Sequence, residues 1–155
     1  MRGGDILTRM EKSIEIRAPP EKVWEILPLD RLTEWVPGYK RDLKSVEYTS
    51  EVRKPKDKYK VGASARGIPT KKGKYDFEIT ESLENQKFTY RLYGTLNVVV
   101  TSILEPVQQG TKFTYVFDYE MPWGIFGKIL EKLFIRDLEK ESERSLENLK
   151  SIVEK

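Results

Sequence analysis

The spacing of apolar residues changes twice along the chain and divides it into three regions. From Ser13 to Arg17, Ile14 and Ile16 alternate with polar neighbours, the period of a half-buried strand. Ala18-Pro19-Pro20 ends that strand. Proline is tolerated in the first helical turn, so Pro20 to Leu27 predicts a short helix with Val23, Trp24 and Leu27 on one side. Asp30 is a candidate N-cap for a second short helix ending at Trp35, with Pro37-Gly38 as its stop.

Beyond Gly38 the pattern becomes extended, over 39–49, 59–67, 73–83, 87–93, 96–105 and 111–120. The breaks hold turn-forming residues, among them Pro55-Lys56-Asp57, Glu84-Asn85-Gln86 and Gln108-Gln109-Gly110, so successive strands are expected to pair as antiparallel hairpins. Tyr75, Phe77 and Ile79 alternate with Asp76, Glu78 and Thr80; Phe88, Tyr90 and Leu92 alternate with Lys87, Thr89 and Arg91. Phe113, Tyr115, Phe117 and Tyr119 repeat the pattern, which gives the sheet one apolar and one wet face. The segment from Leu96 to Leu104 is apolar on both faces and is expected to be the most enclosed strand.

From Gly124 to Glu154 the spacing turns helical, with a stripe of Ile125, Phe126, Ile129, Leu130, Leu133, Phe134, Leu138, Leu146, Leu149, Ile152 and Val153. The opposite face offers Arg136 with Glu139, Lys140 with Glu143, and Arg144 with Glu147 as pairs one turn apart. Ser142 and Ser145 interrupt the stripe where large apolar residues are expected, so something else must fill the space beside them.

The 155 residues are enough for one core. The segment 10–155 reads as a single domain, and 1–9, which shows no pattern, as a disordered or non-native arm. There is neither cysteine nor histidine, which excludes disulfides, thiolate chemistry, the commonest metal ligand and the usual general base. Basic and acidic residues number 28 and 25, a balance that does not point to nucleic acid. A charged fraction of 34% without cysteine is the drift seen in proteins from hot environments. Without a long apolar run or a leader-like start, the expected address is the cytoplasm, with at most peripheral membrane contact.

The order strand, two short helices, six-strand meander and long helix resembles the START and pollen-allergen-like superfamily, with its polyketide cyclase/dehydrase and lipid-transport families. IEIRAPPEKVWEIL at 14–27 resembles the opening strand and proline-led helix of that superfamily, and EWVPGYK at 34–40 its Trp-x-Pro-Gly turn. VGA at 61–63 and FDYEMPWGIFGKIL at 117–130 extend the likeness, which covers the chain from about Ser13 onward. The resemblance implies an α+β helix-grip fold: a curved, antiparallel, seven-stranded sheet wrapped around the C-terminal helix. It implies an activity much less directly, because members bind lipids, quinones or polyketides, catalyse cyclisation, or act as adaptors.

A sheet closing over a helix makes a concave apolar volume suited to a small ligand. The residues expected to line it are Ala63, Ala65, Tyr75, Phe77, Tyr90, Val98, Val100, Ser102, Tyr115, Phe117 and Tyr119 on the sheet. Phe134, Leu138 and Ser142 face them from the helix, and Trp123 and Phe126 stand at an entrance that Gly124 and Gly127 would let move. Tyrosine and serine hydroxyls would orient an oxygenated ligand. Arg66, Asp76, Glu78, Arg91, Asp118 and Glu120 point to the wet face by alternation, where cross-strand pairing accounts for them. No catalytic residue, metal site or cofactor is assigned. The expected role is a binding or carrier protein for a hydrophobic or amphipathic small molecule; a cyclase/dehydratase and an interaction adaptor are the alternatives.

Overall fold

The computed structural model describes residues 6–94, 97–121 and 127–155. Strand β1 (Ile6–Ile16) leads into helix α1 (Pro20–Trp24), a 3-10 turn (Leu29–Arg31), α2 (Leu32–Trp35) and α3 (Pro37–Asp42). Strands β2 (Leu43–Tyr48), β3 (Ser64–Pro69), β4 (Tyr75–Leu83), β5 (Lys87–Gly94), β6 (Val98–Val107) and β7 (Gly110–Met121) follow, then α4 (Gly127–Val153). The seven strands form one antiparallel sheet in the order β1-β7-β6-β5-β4-β3-β2. Successive hairpins build β2 to β7, and the helices α1 to α3 carry the chain from one sheet edge to the other. This is the expected helix-grip architecture.

Several boundaries differ from expectation, each for a local reason. Strand β1 begins at Ile6, inside the segment read as patternless, because β7 pairs with it along its whole length, from Ile6 opposite Met121 to Ile16 opposite Thr111. Arg9 completes that register with an ion pair to Asp118 at 2.8 Å. Pro37 does not stop the helical region. It opens α3, as Pro20 opens α1, since proline at the first helical position loses no hydrogen bond. The segment read as a strand from residue 39 therefore starts as a helix and becomes extended only at Leu43. The strand expected from 59 begins at Ser64, after a 3-10 turn over Pro55–Tyr59. That turn is capped by Asp57, whose carboxylate accepts the Arg53 and Lys54 backbone N–H groups. Asp30 caps nothing; its carboxylate accepts from the Tyr48 hydroxyl and the Lys58 ammonium, tying the 3-10 turn after β2 to the helical crossover.

Among the described residues the most enclosed strand is β7, not β6: five consecutive residues, Phe113 to Phe117, are buried, because Thr114 and Val116 on its second face are covered as well. At the β6–β7 hairpin, Gly110 has a positive φ of 152°, and a Cβ there would collide with the Ile16 carbonyl. The wet-face charges pair across strands as alternation implies, Arg66 with Asp76 at 3.1 Å, while Tyr93 donates to Glu78.

Helix α4 lies inside the curve of the sheet. Its buried stripe comprises Ser142, Ser145, Leu146, Leu149 and Val153, whereas Leu133 is 54% exposed and falls outside it. The side chains of Ile129 and Leu130 are outside the described set. The one-turn charge pairs expected on its outer face are not made. Glu143 instead bridges to Lys12 of β1 at 3.3 Å, and Lys150 to Glu154 at 2.7 Å.

Candidate functional site

The interior between sheet and helix is filled at one end and open at the other. At the filled end, Trp24 of α1 stacks on Tyr59 with ring centroids 4.9 Å apart, and both meet Phe88 of β5 edge-on. The Tyr59 hydroxyl donates to the Trp24 carbonyl at 2.8 Å, and burial pushes its pKa up to about 12. In the middle, Trp35 of α2 packs against Phe113 and Tyr115 of β7 at 6.2 and 5.4 Å. Its carbonyl accepts from Asn148 Nδ2, which sets α2 beside the stretch of α4 that bears Ser142 and Ser145. A bulky indole here accounts for small residues on the helix: the space they leave belongs to α2.

Toward the N-terminal half of α4 no such ring is inserted by the described residues, which leave a pocket of about 370 Å³ among them. Helix α3 and the residue before it supply Val36, Gly38, Tyr39, Arg41 and Asp42; the sheet supplies Tyr75, Leu92, Val98 and Phe117; α4 supplies Phe134, Leu138 and Glu141. The apolar residues come from inward positions on strands β5, β6 and β7, from Val36, and from Phe134 and Leu138 of α4. The polar ones come from α3 and α4, which meet above them. Arg41 pairs with Asp42 at 3.0 Å, and that hydrogen bond with its charge holds the guanidinium pKa above its ordinary value.

Behind the wall runs a line of phenols. Tyr39, half-buried with its ring on the pocket, meets the Tyr90 hydroxyl at 3.2 Å. Tyr115 lies next along, close enough to perturb the ionisation of Tyr90, yet its hydroxyl completes no hydrogen bond of ordinary length. Desolvation raises the pKa of all three well above the usual phenol value, so they are neutral hydroxyls. Tyr115 and Ser142 are each 1% exposed; the Ser142 hydroxyl has no partner among the described residues, and the Tyr115 hydroxyl has only a long contact with Tyr90. Orphaned polar groups at such depth are uncommon and costly.

Of the residues expected from the sequence, Tyr75, Val98, Phe117, Phe134 and Leu138 stand on the pocket wall. Phe77, Tyr90, Val100 and Tyr115 are buried one layer behind it, in the core that Tyr39 joins. Tyr119 is buried with its ring edge-on to Phe134 at 5.2 Å. Ala63, Ala65, Ser102 and Ser142 are buried and do not line this pocket. Trp123 and Phe126 lie outside the described residues. Sequence reasoning missed Tyr39, Arg41, Asp42 and Glu141. The first three sit in the segment read as a strand, and the available signal was the Pro37-led helix start. Glu141 is one turn beyond Leu138 on α4, at the border of the apolar stripe. Among the described residues there is no cluster of acidic ligands suited to a metal ion, and no helix is long and apolar enough to cross a membrane.

This architecture, a curved sheet gripping a helix, is matched by comparison with known proteins. The family described as "Polyketide cyclase / dehydrase and lipid transport" matches residues 8–154, and the chain belongs to it. Among solved structures it is similar to TTHA0849 from Thermus thermophilus, at 22% identity with a TM-score of 0.65, covering 96% of this chain and 97% of that one. It is similar to Ara h 8.0201 at 16% identity and a TM-score of 0.66, over 96% and 98% of the two chains. A third similar structure is DynU16, described as a putative protein in the dynemicin biosynthetic locus, at 15% identity and a TM-score of 0.64, over 94% of this chain and 47% of that one. At these identities the likeness establishes the fold. No curated protein matches the chain.

Proposed function

We propose that the protein binds an apolar or amphipathic small molecule in the pocket between α3, the sheet and α4. The observation that supports this most is the combination of size and lining: about 370 Å³ walled by Val36, Leu92, Val98, Phe117, Phe134 and Leu138, with polar groups confined to the edge formed by α3 and α4. Ligand sites are typically cavities of roughly 300–1,000 Å³ with mainly apolar walls and a few placed polar groups. The Tyr39–Tyr90–Tyr115 line adds hydroxyls that hold their protons and can donate to, or accept from, an oxygen on the ligand. Membership of a family that includes lipid transport fits a binding or carrier role.

The test is native mass spectrometry of protein purified without detergent, beside a denatured sample, with titration of a neutral environment-sensitive dye such as phenylnaphthylamine. Retained small-molecule mass, or saturable dye fluorescence with one site per chain, is the expected result. Protein that is empty and takes up no dye would rule the reading out.

A further inference from the structure

We infer that Glu141 sets the class of ligand: the pocket takes an apolar molecule ending in a hydrogen-bond-donating, non-anionic group, an alcohol, phenol or amine, and turns away carboxylates. This rests on the binding role proposed above.

The carboxylate stands where two spaces meet. Glu141 lines the apolar pocket and also the adjoining outer cleft, which shares Arg41, Phe134 and Leu138 with the pocket and adds Pro37, Asp137, Lys140 and Arg144, so a ligand entering from that cleft passes it. The carboxylate lies against Gly38 of α3, where a Cβ would meet Glu141 Oε1 and push the flexible side chain aside. The carboxylate is also uncommitted. The nearest cation on the pocket wall, Arg41, is bonded to Asp42, and among the described residues the Glu141 side chain makes no hydrogen bond or ion pair. Among those residues the one side chain bonded to Glu141 is Ser145, whose Oγ donates to its backbone carbonyl.

Arg41 is bonded to Asp42 and also feels the charge of Glu141, so the wall carries two carboxylates to one guanidinium and is negative on balance. Lys140 and Arg144 of the outer cleft are exposed, where water and salt screen them, and Asp137 offsets one of them. The negative charge reaches inward as well, since Glu141 is among the groups that raise the pKa of Tyr39 and Tyr115. A half-buried, unpaired acceptor is completed by a ligand that donates a proton and repels one that brings a second negative charge.

The experiment is displacement of phenylnaphthylamine by decanol, decylamine and decanoate, which share one chain and differ in the head group. The wild-type protein should bind decanol and decylamine at least about tenfold more tightly than decanoate, as like charges across a partly hydrated rim repel. Glu141→Gln should shrink that gap to about threefold or less, because an amide still accepts a hydrogen bond but repels no anion. Gly38→Ala, which keeps the charge but displaces it, should shrink it as well. Circular dichroism melts establish that each variant is folded. Dye binding with decanoate equal to decanol in the wild type, or a gap that survives Glu141→Gln, overturns the inference and leaves the binding role standing. Failure of the dye to bind at all overturns both.

Discussion

The two ends of the interior are built from the same sheet and the same helix, yet one is packed solid and the other is open. Strands β5, β6 and β7 present inward-facing apolar residues along their whole length, from Leu92, Val98 and Phe117 at the open end to Phe88, Leu104 and Phe113 at the filled end. The crossover segments decide the difference. Residues 20–35 and the 3-10 turn at Pro55–Tyr59 push Trp24, Trp35 and Tyr59 into the filled end. Helix α3 gives the open end one phenol, Tyr39, and otherwise a glycine and a charged pair. Alternation along a strand thus identifies which face is inward; whether that face meets a ring or a void depends on the elements laid over it.

Removing a plug is expected to have the largest effect. Trp35→Ala should destabilise the fold by about 3–5 kcal/mol in urea titration, since the indole is 2% exposed and contacts two rings of β7. A loss under about 1 kcal/mol would mean that the middle of the core is not held by Trp35.

Alkaline pH tests the phenol line that borders the pocket. Tyr39, Tyr90 and Tyr115 have folded-state pKa values above the ordinary 10.0, so the fold keeps protons that the unfolded chain releases. Their contribution to stability is fully present below about pH 10 and is lost as pH rises toward the folded values, at up to about 1.4 kcal/mol per pH unit for each tyrosine. Urea titrations at increasing pH measure this slope. The triple Phe variant should flatten it.

Filling the open end should affect binding rather than stability. Leu138→Trp, at the pocket wall, should weaken phenylnaphthylamine binding about tenfold or more, with the unfolding midpoint corresponding to a change of about 1 kcal/mol or less. A variant that binds dye normally would place the ligand elsewhere.

The smallest expected differences separate paired from orphaned hydroxyls. Tyr39→Phe breaks the 3.2 Å contact with Tyr90 and should cost about 1 kcal/mol. Tyr115→Phe and Ser142→Ala remove hydroxyls that complete no hydrogen bond of ordinary length, and each should leave stability unchanged or raise it by up to about 1 kcal/mol. Denaturant midpoints of the three variants, compared at one pH, give the answer.

Much of the fold was legible in the sequence because period-two alternation and hairpin turns are local signals. Phe113 to Tyr119 and Phe88 to Leu92 are inward as their spacing implies. What escaped depends on contacts distant in sequence. Residues 6–9 form a strand only because β7 offers them a partner, and Leu96-to-Leu104 reads as the deepest strand because the sequence does not show that Thr114 and Val116, on the second face of β7, are covered. Of the site, Tyr75, Val98, Phe117, Phe134 and Leu138 were within reach of periodicity. Tyr39 and Glu141 were not, since a tyrosine after Pro-Gly and a glutamate on a charged helix resemble ordinary surface residues until α3 and α4 meet over the pocket. The serines on α4 read as a gap in the stripe, but the Trp35 indole and Asn148 contact that account for it are set by tertiary packing.

The most direct test of the central claim is a methyl NMR titration that reports on both ends of the interior at once. Added phenylnaphthylamine should shift the methyl resonances of Leu92, Val98 and Leu138 at the open end and leave those of Leu104, Leu146 and Leu149 at the filled end in place. Shifts centred on Leu104 and Leu149, or no shift at saturating dye, would contradict the account.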